Sequence, residues 1–411
     1  MAQRAIRLPD RVSFYLLASI VLFFLAGSSA PTPLYAVYQA EWGFSPITVT
    51  VVFGIYALAV LAALLVFGRL SDHVGRRPVL LTALVLQAAT MILFSAASGV
   101  SELLVARVLQ GLSTGAAVGA IGAGMLDFDR ARGTIANAVA PVTGTATGAL
   151  GASLLVQFLP APTHVVYLVL FGVFVVQFAG VLLMRETSAA EPGAVASMRP
   201  EFSVPPAVRR PVLVAIPALV AVWSLAGFYG SLGPALVRLV TGSRSYVLGG
   251  LALAALAGAG ALTVLALRNA APRMVMMLGT ATLATGVAGT LLATRWSSAA
   301  LLFIGTAVAG VGFGAAFQGA LRTVLPLARP HQRAGVLSTL YVVSYLAMGV
   351  PAVIGGYLVV HGGGVLATAR EYGLAVIVLA LLALLGVALP GRSTARHAAP
   401  AAERERELVE V

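Results

Sequence analysis

The chain has 411 residues, of which 59% are hydrophobic and only 10% are charged. So few polar side chains cannot cover the surface of a soluble globular protein, and we therefore expect a lipid bilayer to be the solvent. The absence of cysteine excludes disulfide bonds and thiolate metal sites. Five widely separated histidines offer no metal-ligand spacing, so we expect neither a metal nor a cofactor.

The formal net charge of +12 is carried by arginine, because the chain contains no lysine. These arginines fall in short gaps between apolar stretches, with no basic stripe and no interleaved aromatic residues. This distribution favours the positive-inside topology of a membrane protein over nucleic-acid binding.

The first apolar run, residues 14–30, has the basic flank and the small-residue end of a signal peptide. However, Pro31 would directly follow a cleavage after Ala30, and proline disfavours cleavage there. Apolar character also resumes immediately. We therefore predict an uncleaved first transmembrane helix.

A helix needs about 20 mostly apolar residues to cross the hydrocarbon core of a membrane. Twelve stretches meet this requirement: 13–36, 46–68, 78–98, 102–126, 134–158, 164–184, 211–233, 246–267, 274–294, 298–321, 334–360 and 366–390. The sequence therefore predicts an all-α integral membrane protein with twelve transmembrane helices, arranged as two bundles of six.

A polar stretch rich in proline and charge, residues 185–210, separates the sixth span from the seventh. We predict an N-terminal six-helix bundle over 1–184, a cytoplasmic linker over 185–210, a C-terminal six-helix bundle over 211–390 and a polar cytoplasmic tail over 391–411.

The two predicted bundles contain similar sequence motifs at equivalent positions. GLSTGAA at 111–117 in the fourth span recurs as GVGFGAA at 310–316 in the tenth, and an arginine-containing turn follows each. An offset of about 200 residues is expected for parallel repeats related by an axis along the membrane normal.

The distribution of arginine predicts the orientation. With the N-terminus in the cytoplasm, about 21 of the 26 arginines fall on the cytoplasmic side and about four on the opposite side. Both termini are therefore expected in the cytoplasm, in a multi-pass protein of the cell membrane.

The connection between spans 2 and 3 reads GRLSDHVGRR, residues 68–77. It resembles the signature loop of the major facilitator superfamily, and with the helix count it indicates the twelve-helix, drug-efflux-like branch of that family. The matching residues are Gly68, Leu70, Ser71, Asp72, Gly75, Arg76 and Arg77. His73 departs from the pattern, which usually has arginine or lysine there.

This resemblance implies a conformational latch. In relatives, the aspartate and arginine of the loop contact an acidic residue at the cytoplasmic end of span 4. This chain offers Asp127 and Asp129 at that place, and we favour Asp127. An ordinary positive-inside loop is the alternative interpretation.

ARVLQGLSTGAA, residues 106–117 in span 4, resembles the R-x-x-Q-G motif of the same family. The resemblance implies that Arg107, with Gln110, influences a proton site. A buried arginine is costly, so it should face the bundle interior or water; snorkelling to the interface is the alternative. In span 5, GTATGALGAS at 144–153 has Ala149 where antiporters carry proline, which weakens the case for antiport.

Proton coupling normally uses a carboxylate or histidine inside the membrane, and few acidic residues of this chain lie there. Either the latch aspartates take up protons, or the protein is a facilitator without ion coupling. Both interpretations remain open from the sequence.

The in-span aromatic and amide residues favour a hydrophobic or amphipathic small-molecule substrate, although each could instead serve helix packing. The candidate cavity residues are Phe23, Tyr35, Tyr38, Tyr56, Asn137, Gln157, Trp223, Phe228, Tyr229, Phe313, Phe317, Gln318, Tyr341 and Tyr345.

The sequence thus predicts a secondary active transporter that works by alternating access, with proton-coupled efflux as the leading hypothesis. An uncoupled facilitator or an importer of a small nutrient such as a sugar is the alternative. An enzyme is not expected, because no nucleophile–base or metal constellation is present. We expect a monomer, as is common in this superfamily, with protons as the coupling ion.

Overall fold

The computed structural model describes residues 7–389, and within that range the chain is helical, with no strand. Two short 3-10 helices, Leu325–Leu327 and Pro330–Gln332, join the tenth and eleventh spans. The predicted tail, residues 391–411, lies outside the described residues. The α-helices are α1 (Asp10–Ser29), α2 (Pro31–Trp42), α3 (Pro46–Phe67), α4 (Leu70–Val74), α5 (Arg76–Ser95), α6 (Val100–Phe128), α7 (Arg130–Phe158), α8 (Pro162–Leu183), α9 (Ala194–Ser197), α10 (Pro206–Ser231), α11 (Gly233–Thr241), α12 (Tyr246–Ala266), α13 (Pro272–Trp296), α14 (Ala299–Val324), α15 (Arg333–His361) and α16 (Gly364–Ala388).

Twelve helical segments are long and apolar enough to cross a membrane, which confirms the predicted fold class. The largest difference from the predicted boundaries is in the first span, which runs over 10–42 as α1 and α2, six residues beyond the predicted end at 36. Pro31 and Pro33 do not end the helix there. They stand in the first turn of α2, where the missing N–H group costs no hydrogen bond.

The backbone repeats itself in the two halves of the chain. α1 gives way to α2 at Ala30, and α10 gives way to α11 at Leu232. α2 and α11 then end at left-handed glycines, Gly43 and Gly242, both with φ of 66°. This agreement in local geometry reflects the repeat that the glycine-rich motifs in spans 4 and 10 indicated.

Each half has its own apolar core. In the N-terminal half, α1, α5, α6 and α8 bury a continuous cluster that includes Leu17, Phe24 and Leu84. In the C-terminal half, α10, α12, α13 and α14 bury a second one, with Leu253 and Leu283. Small residues let these helices approach closely, as transmembrane packing requires.

The two halves meet along two helix pairs, α3 with α15 and α7 with α12. A methyl group on Gly356 of α15 would lie 2.9 Å from Thr50 Cβ of α3. On the other pair, a methyl group on Gly250 of α12 would lie 2.8 Å from Ser153 Cβ of α7. Glycine therefore permits the contact in both pairs.

Three hydrogen bonds join helices of the two halves within residues 7–389. Thr32 Oγ1 donates to the Gly230 carbonyl (3.0 Å), and Gln157 Oε1 accepts from Tyr246 N (3.0 Å) and Ser245 Oγ (3.4 Å). All three hydrogen bonds lie toward the end of the molecule that is opposite the linker. We call this end the far end and the opposite one the linker end. At the linker end, the described residues form no hydrogen bond between transmembrane helices of the two halves.

Candidate functional site

The loop between α3 and α5 folds around Arg76. Gly75 adopts φ of 95°, a conformation that side chains other than glycine rarely tolerate, and α5 begins directly after it. This turn brings the Arg76 side chain back over α4. Its Nη1 group donates to Ser71 Oγ at 2.8 Å and to the Asp72 carboxylate. Arg76 is 8% exposed, so a charge that could have stayed in water is instead held inside the loop.

Asp127 at the end of α6 completes this cluster. Its Oδ2 atom lies 3.4 Å from Arg76 Nε, and the Asp127 side chain is 33% exposed. We call Ser71, Asp72, Arg76 and Asp127 the latch. The pairing joins the α3–α5 loop to α6 at the linker end of the N-terminal half.

The other loop and acidic candidates serve different contacts. Asp129 caps α7 by accepting from Arg132 N at 2.9 Å, so it does not join the latch. Arg77 reaches the end of α8, where it donates to the carbonyls of Val181 (3.2 Å) and Leu182 (2.6 Å). Gly68 lies against α6 at Gly119, and the glycine at 119 permits this approach, because a methyl group there would overlap the Gly68 carbonyl oxygen and lie 3.3 Å from the carbonyl carbon.

The sequence did not predict the role of Glu186. Its carboxylate accepts from Arg76 N (2.8 Å) and from Arg77 N (2.9 Å), the first two amides of α5. These amides have no partner inside their own helix, so an acidic side chain is a favourable cap. The only sequence signal is an acidic residue just after the sixth span, which by itself does not identify the helix that it caps.

Arg107 in α6 is completely buried in the N-terminal half. Nη1 donates to Gln110 Oε1 at 2.7 Å and to the Ser28 carbonyl at 2.9 Å, while Nε donates to the Tyr35 hydroxyl oxygen at 3.1 Å. Gln110 in turn donates to the Gly27 carbonyl at 3.0 Å. The first span, α1 with α2, therefore supplies two of the three acceptors for this cation, the Ser28 carbonyl and the Tyr35 hydroxyl.

Aromatic rings complete the enclosure of Arg107. The guanidinium carbon lies 5.1 Å from the Tyr56 ring centre, 5.7 Å from that of Tyr35 and 5.9 Å from that of Phe94. No carboxylate within residues 7–389 forms an ion pair with it. Within the described residues, hydrogen-bond acceptors and aromatic ring faces stabilise this positive charge. A charged or polar group that approaches Arg107 would therefore change its energy strongly.

Five aromatic candidates of the C-terminal half lie together. The Trp223 ring on α10 lies 6.2 Å from Phe313, 5.4 Å from Phe317 and 5.6 Å from Tyr345, measured between ring centres. Tyr341 extends the group at 6.4 Å from Tyr345. We call these five residues the aromatic cluster.

Two polar atoms in this region lack a hydrogen-bond partner in the protein. They are Trp223 Nε1, a donor, and Gln318 Oε1, an acceptor, and both are buried. Gln318 Nε2 donates to the Val264 carbonyl at 3.2 Å, which orients the amide and leaves Oε1 unsatisfied. Buried polar atoms normally have partners, so these two are candidates for contact with a ligand.

The aromatic cluster borders the interface between the halves. Trp223 and Tyr345 pack against a small buried group made of Phe53 and Ala57 from α3 and of Met348 and Ala352 from α15. Tyr56, which covers Arg107, lies next to Ala57 on α3. Helix α3 therefore contributes both to the enclosure of Arg107, through Tyr56, and to the packing of the aromatic cluster, through Phe53 and Ala57.

The remaining cavity candidates do not join this group. Tyr38 is buried against Tyr167, with 3.2 Å between the two hydroxyl oxygens, and Tyr229 lies 2.7 Å from Thr306 Oγ1. Phe228 packs on Tyr372 at 5.1 Å. Asn137 donates to the Gly122 carbonyl at 3.0 Å, Gln157 lies in the far-end contact, and Phe23 is half-buried on α1.

Within residues 7–389 no group of three or more histidine, aspartate or glutamate side chains is close enough to hold a metal ion. The polar chemistry of the chain is instead divided among the latch, the Arg107 site and the aromatic cluster. None of the three has the nucleophile–base geometry of a catalytic centre.

Comparison with known proteins places this architecture in a family. Residues 17–281 match the sequence model of the Major Facilitator Superfamily. No curated protein matches the sequence. Among solved structures, the fold is similar to that of an aspartate-to-alanine mutant of the nucleoside transporter NupG, with a TM-score of 0.70. The sequences are 11% identical, and the match covers 92% of this chain and 100% of the NupG chain. The chain is a multi-pass membrane protein and belongs to the Major Facilitator Superfamily of transporters.

Proposed function

We propose that the protein exports a hydrophobic or amphipathic small molecule by alternating access and couples this export to protons. The two halves would rock about the α3–α15 and α7–α12 pairs. This movement would open the space between the halves first at one end and then at the other. The observation that carries the proposal is the aromatic cluster beside the interface, with the unpartnered Trp223 Nε1 inside it and the unpartnered Gln318 Oε1 on the residue that follows Phe317.

The chemistry of the cluster defines the substrate class. Five aromatic rings offer apolar surface, and no charged residue belongs to the cluster. A planar apolar molecule could insert among such rings. Trp223 Nε1 would then donate to an acceptor on the substrate, and Gln318 Oε1 would accept from a donor. These two atoms favour an amphipathic molecule over a pure hydrocarbon.

The direction of transport follows from the proposed orientation. With the termini in the cytoplasm, as the arginine distribution indicates, the linker end faces the cytoplasm. The hydrogen bonds between the halves lie at the far end, so this conformation would admit a molecule from the cytoplasm or the inner leaflet. Closure at the linker end and opening at the far end would release it outside.

Proton coupling is assigned to the latch. Asp127 pairs with Arg76 and is only partly exposed, so protonation of Asp127 would remove one partner of a largely buried arginine. This loss would change the relative stability of the two conformations and so couple protonation of Asp127 to their exchange. Arg107 lies far along α6 from this carboxylate and would respond to the substrate or to the rocking of α1 and α3.

An uncoupled facilitator or importer of a small polar nutrient is the second candidate. The NupG structure is that of a nucleoside transporter, and a nucleobase is a planar ring that could also stack in the aromatic cluster. At 11% identity this likeness supports only the shared fold, so the substrate class is argued from the cluster itself.

Dye uptake into inside-out vesicles with an imposed pH gradient tests the proposal. We expect wild-type protein to concentrate a lipophilic dye such as rhodamine 6G when the lumen is acidic. Asp127→Asn should lose gradient-driven uptake, whereas Asp129→Asn, the matched control two residues away, should retain it. Dye uptake that does not depend on the gradient would overturn proton coupling. Inhibition of dye uptake by uridine would favour a nucleoside as the substrate.

A further inference from the structure

The linker end of the C-terminal half carries positive charge without matching negative charge. The arginines at this end are Arg209, Arg210, Arg268, Arg273, Arg322, Arg329 and Arg333. The one acidic residue between positions 202 and 389 is Glu371, which lies near the start of α16 and thus toward the far end. No carboxylate of the described C-terminal half therefore neutralises these arginines.

The N-terminal half neutralises its linker end with its own carboxylates. Arg76 pairs with Asp72 and Asp127, and Glu186 accepts from its backbone amide. Glu186 lies so close to this turn that a methyl group on Gly75 would lie 2.7 Å from Glu186 Oε2. All five ion pairs within residues 7–389 contain an arginine at position 185 or earlier in the chain. The two halves share a repeated backbone but differ in charge.

The turn between α12 and α13 joins the second and third spans of the C-terminal half, as the loop around Arg76 does in the N-terminal half. We call residues 267–273 the basic turn. Arg322 at the end of α14 donates to the carbonyls of Leu267 (3.2 Å) and Ala270 (2.8 Å). Arg322 is half-buried, so it fixes the shape of the basic turn and also brings a positive charge to it.

Arg268 and Arg273 stand at either end of the basic turn, and both are exposed. Within the described residues the side chain of each forms one hydrogen bond. Arg268 Nη1 donates to the Leu265 carbonyl at 3.2 Å, and Arg273 Nη2 donates to the Ala388 carbonyl at 3.3 Å. A guanidinium group has five N–H donors, so both side chains can still donate to an anion with several acceptor oxygens.

Apolar side chains beside the basic turn are exposed. Met274 and Leu278 on α13 are 57% and 37% exposed, and Leu262 on α12 is 71% exposed. Met274 and Leu278 are four residues apart, so they lie on the same side of α13. This apolar side begins directly after Arg273 and continues toward the middle of the predicted span. A ligand that fits the whole surface is negatively charged at one end and apolar along the rest.

We propose that the basic turn and the exposed side of α13 bind an anionic phospholipid. The phosphate group accepts from Arg268 and Arg273, while an acyl chain lies along Met274 and Leu278. Arginine suits this contact because its planar group can donate two parallel hydrogen bonds to a phosphate. A free phosphate would leave the apolar part of the surface uncovered, so the combination of charge and apolar surface favours a lipid.

The two exposed arginines determine the expected strength of the preference. Basic side chains at a membrane surface attract anionic lipids, and two of them should give about a five- to tenfold preference for phosphatidylglycerol over phosphatidylcholine. The attraction is electrostatic and exposed to solvent, so about 0.5 M salt should weaken it.

Tryptophan fluorescence beside the basic turn tests this proposal. The variant carries Met274→Trp, with Trp42, Trp223 and Trp296 replaced by phenylalanine, so it contains a single tryptophan. It is reconstituted into vesicles that contain phosphatidylglycerol and phosphatidylcholine, one of which has brominated acyl chains that quench tryptophan on contact. The same lipids are present in both leaflets, so the result does not depend on the orientation of the protein. We expect quenching to show about a five- to tenfold preference for phosphatidylglycerol.

The matched variants remove two charges each from the same end of the same half. Arg268→Gln with Arg273→Gln should abolish the preference for phosphatidylglycerol. Arg329→Gln with Arg333→Gln should retain it, because these two exposed arginines lie in the connection between α14 and α15, outside the basic turn.

Equal quenching by brominated phosphatidylglycerol and brominated phosphatidylcholine would overturn the proposal. An equal loss of preference in the two double variants would also overturn it, because it would indicate attraction by net charge rather than by the basic turn. The chain itself offers a competing anion, since its last residues contain Glu403, Glu405, Glu407 and Glu410. A preference that appears only after removal of residues 401–411 would assign the basic turn to this tail and would contradict lipid binding in the whole protein.

Discussion

Thr32 Oγ1 donates a hydrogen bond to the Gly230 carbonyl at 3.0 Å and thereby joins two residues that are 198 positions apart. Thr32 directly follows the junction of α1 and α2, and Gly230 directly precedes the junction of α10 and α11. This far-end contact is thus made next to the helix junction of each half.

The first prediction concerns the glycines of the α7–α12 contact. A side chain at Gly250 would meet the Ala149 carbonyl oxygen at 2.5 Å, whereas one at Gly258 on the same helix would meet no atom within 4 Å. Gly250→Val should therefore separate the halves at the far end, and Gly258→Val should not. The measurement is the rate at which a maleimide labels a cysteine at Ser153.

Ser153 lies against Gly250 and is completely buried. We expect Gly250→Val to raise the labelling rate of Ser153→Cys by about tenfold or more, which corresponds to about 1.4 kcal/mol in an opening equilibrium. Equal labelling in the two valine variants would show that the close contact is not needed for closure.

The second prediction concerns the fork geometry of Arg107. A lysine retains the charge but cannot donate to Tyr35, Ser28 and Gln110 from fixed planar positions. Arg107→Lys should therefore reduce dye transport by about tenfold or more, while the exposed control Arg238→Lys should transport normally. Initial uptake rates at equal amounts of folded protein provide the test.

A neutral replacement separates charge from geometry at the same site. A lysine at this position would keep the cost of a buried charge, whereas a neutral glutamine would not. Arg107→Gln should thus be at least as heat-stable as Arg107→Lys and still fail to transport. Full activity of Arg107→Gln would remove Arg107 from the transport mechanism.

The third prediction concerns Trp223 as the substrate-facing indole. The chain has three tryptophans, at positions 42, 223 and 296. In a Trp42→Phe, Trp296→Phe background, rhodamine 6G should quench the fluorescence of Trp223 in a saturable way. The matched protein that retains only Trp296, which is 65% exposed, should show no saturable quenching.

The fourth prediction separates backbone strain from contact at the latch. Gly75 and Gly43 both have positive φ, at 95° and 66°, but a side chain at Gly43 would meet no atom within 4 Å. Gly43→Ala should destabilise by about 1 kcal/mol. Gly75→Ala should cost about 1–3 kcal/mol for its backbone region alone, and more because the methyl group meets Glu186.

Thermal unfolding of the two alanine variants in the same detergent checks this order. Removing the clash in Gly75→Ala, Glu186→Ala should restore part of the loss, because the carboxylate no longer occupies the space. An equal melting temperature for Gly43→Ala and Gly75→Ala would contradict the assigned contact between Gly75 and Glu186.

The sequence predicted the twelve-span fold because hydropathy and helix length are local properties that a bilayer enforces. The signature loop likewise indicated which residues lie near Arg76, since its glycine turn is local. Arg107 was identified as a buried charge from its position in span 4. Its acceptors Tyr35 and Ser28 belong to the first span, and nothing in their own sequence neighbourhood indicates them.

Glu186 and the aromatic cluster show where sequence reasoning stops. Glu186 stands about 110 residues from the amides that it caps, so only the folded chain brings them together. The aromatic candidates formed an undivided set in the sequence, because packing and binding use the same residue types. The structure divides them: Trp223, Phe313 and Tyr345 gather beside the interface, while the hydroxyl groups of Tyr38 and Tyr229 form hydrogen bonds within their own halves.

A reversible cross-link at the far end tests the central claim most directly. A Cβ atom on Gly356 would lie 2.9 Å from Thr50 Cβ, which is shorter than the separation of about 3.8 Å in a disulfide, so a small outward shift of one helix would bring the two Cβ atoms to bonding geometry. In a Thr50→Cys, Gly356→Cys variant, oxidation should therefore hold α3 and α15 together at the far end. We expect dye transport to stop on oxidation and to resume when a reducing agent cleaves the cross-link. Undiminished transport by fully cross-linked protein would contradict alternating access between these two halves.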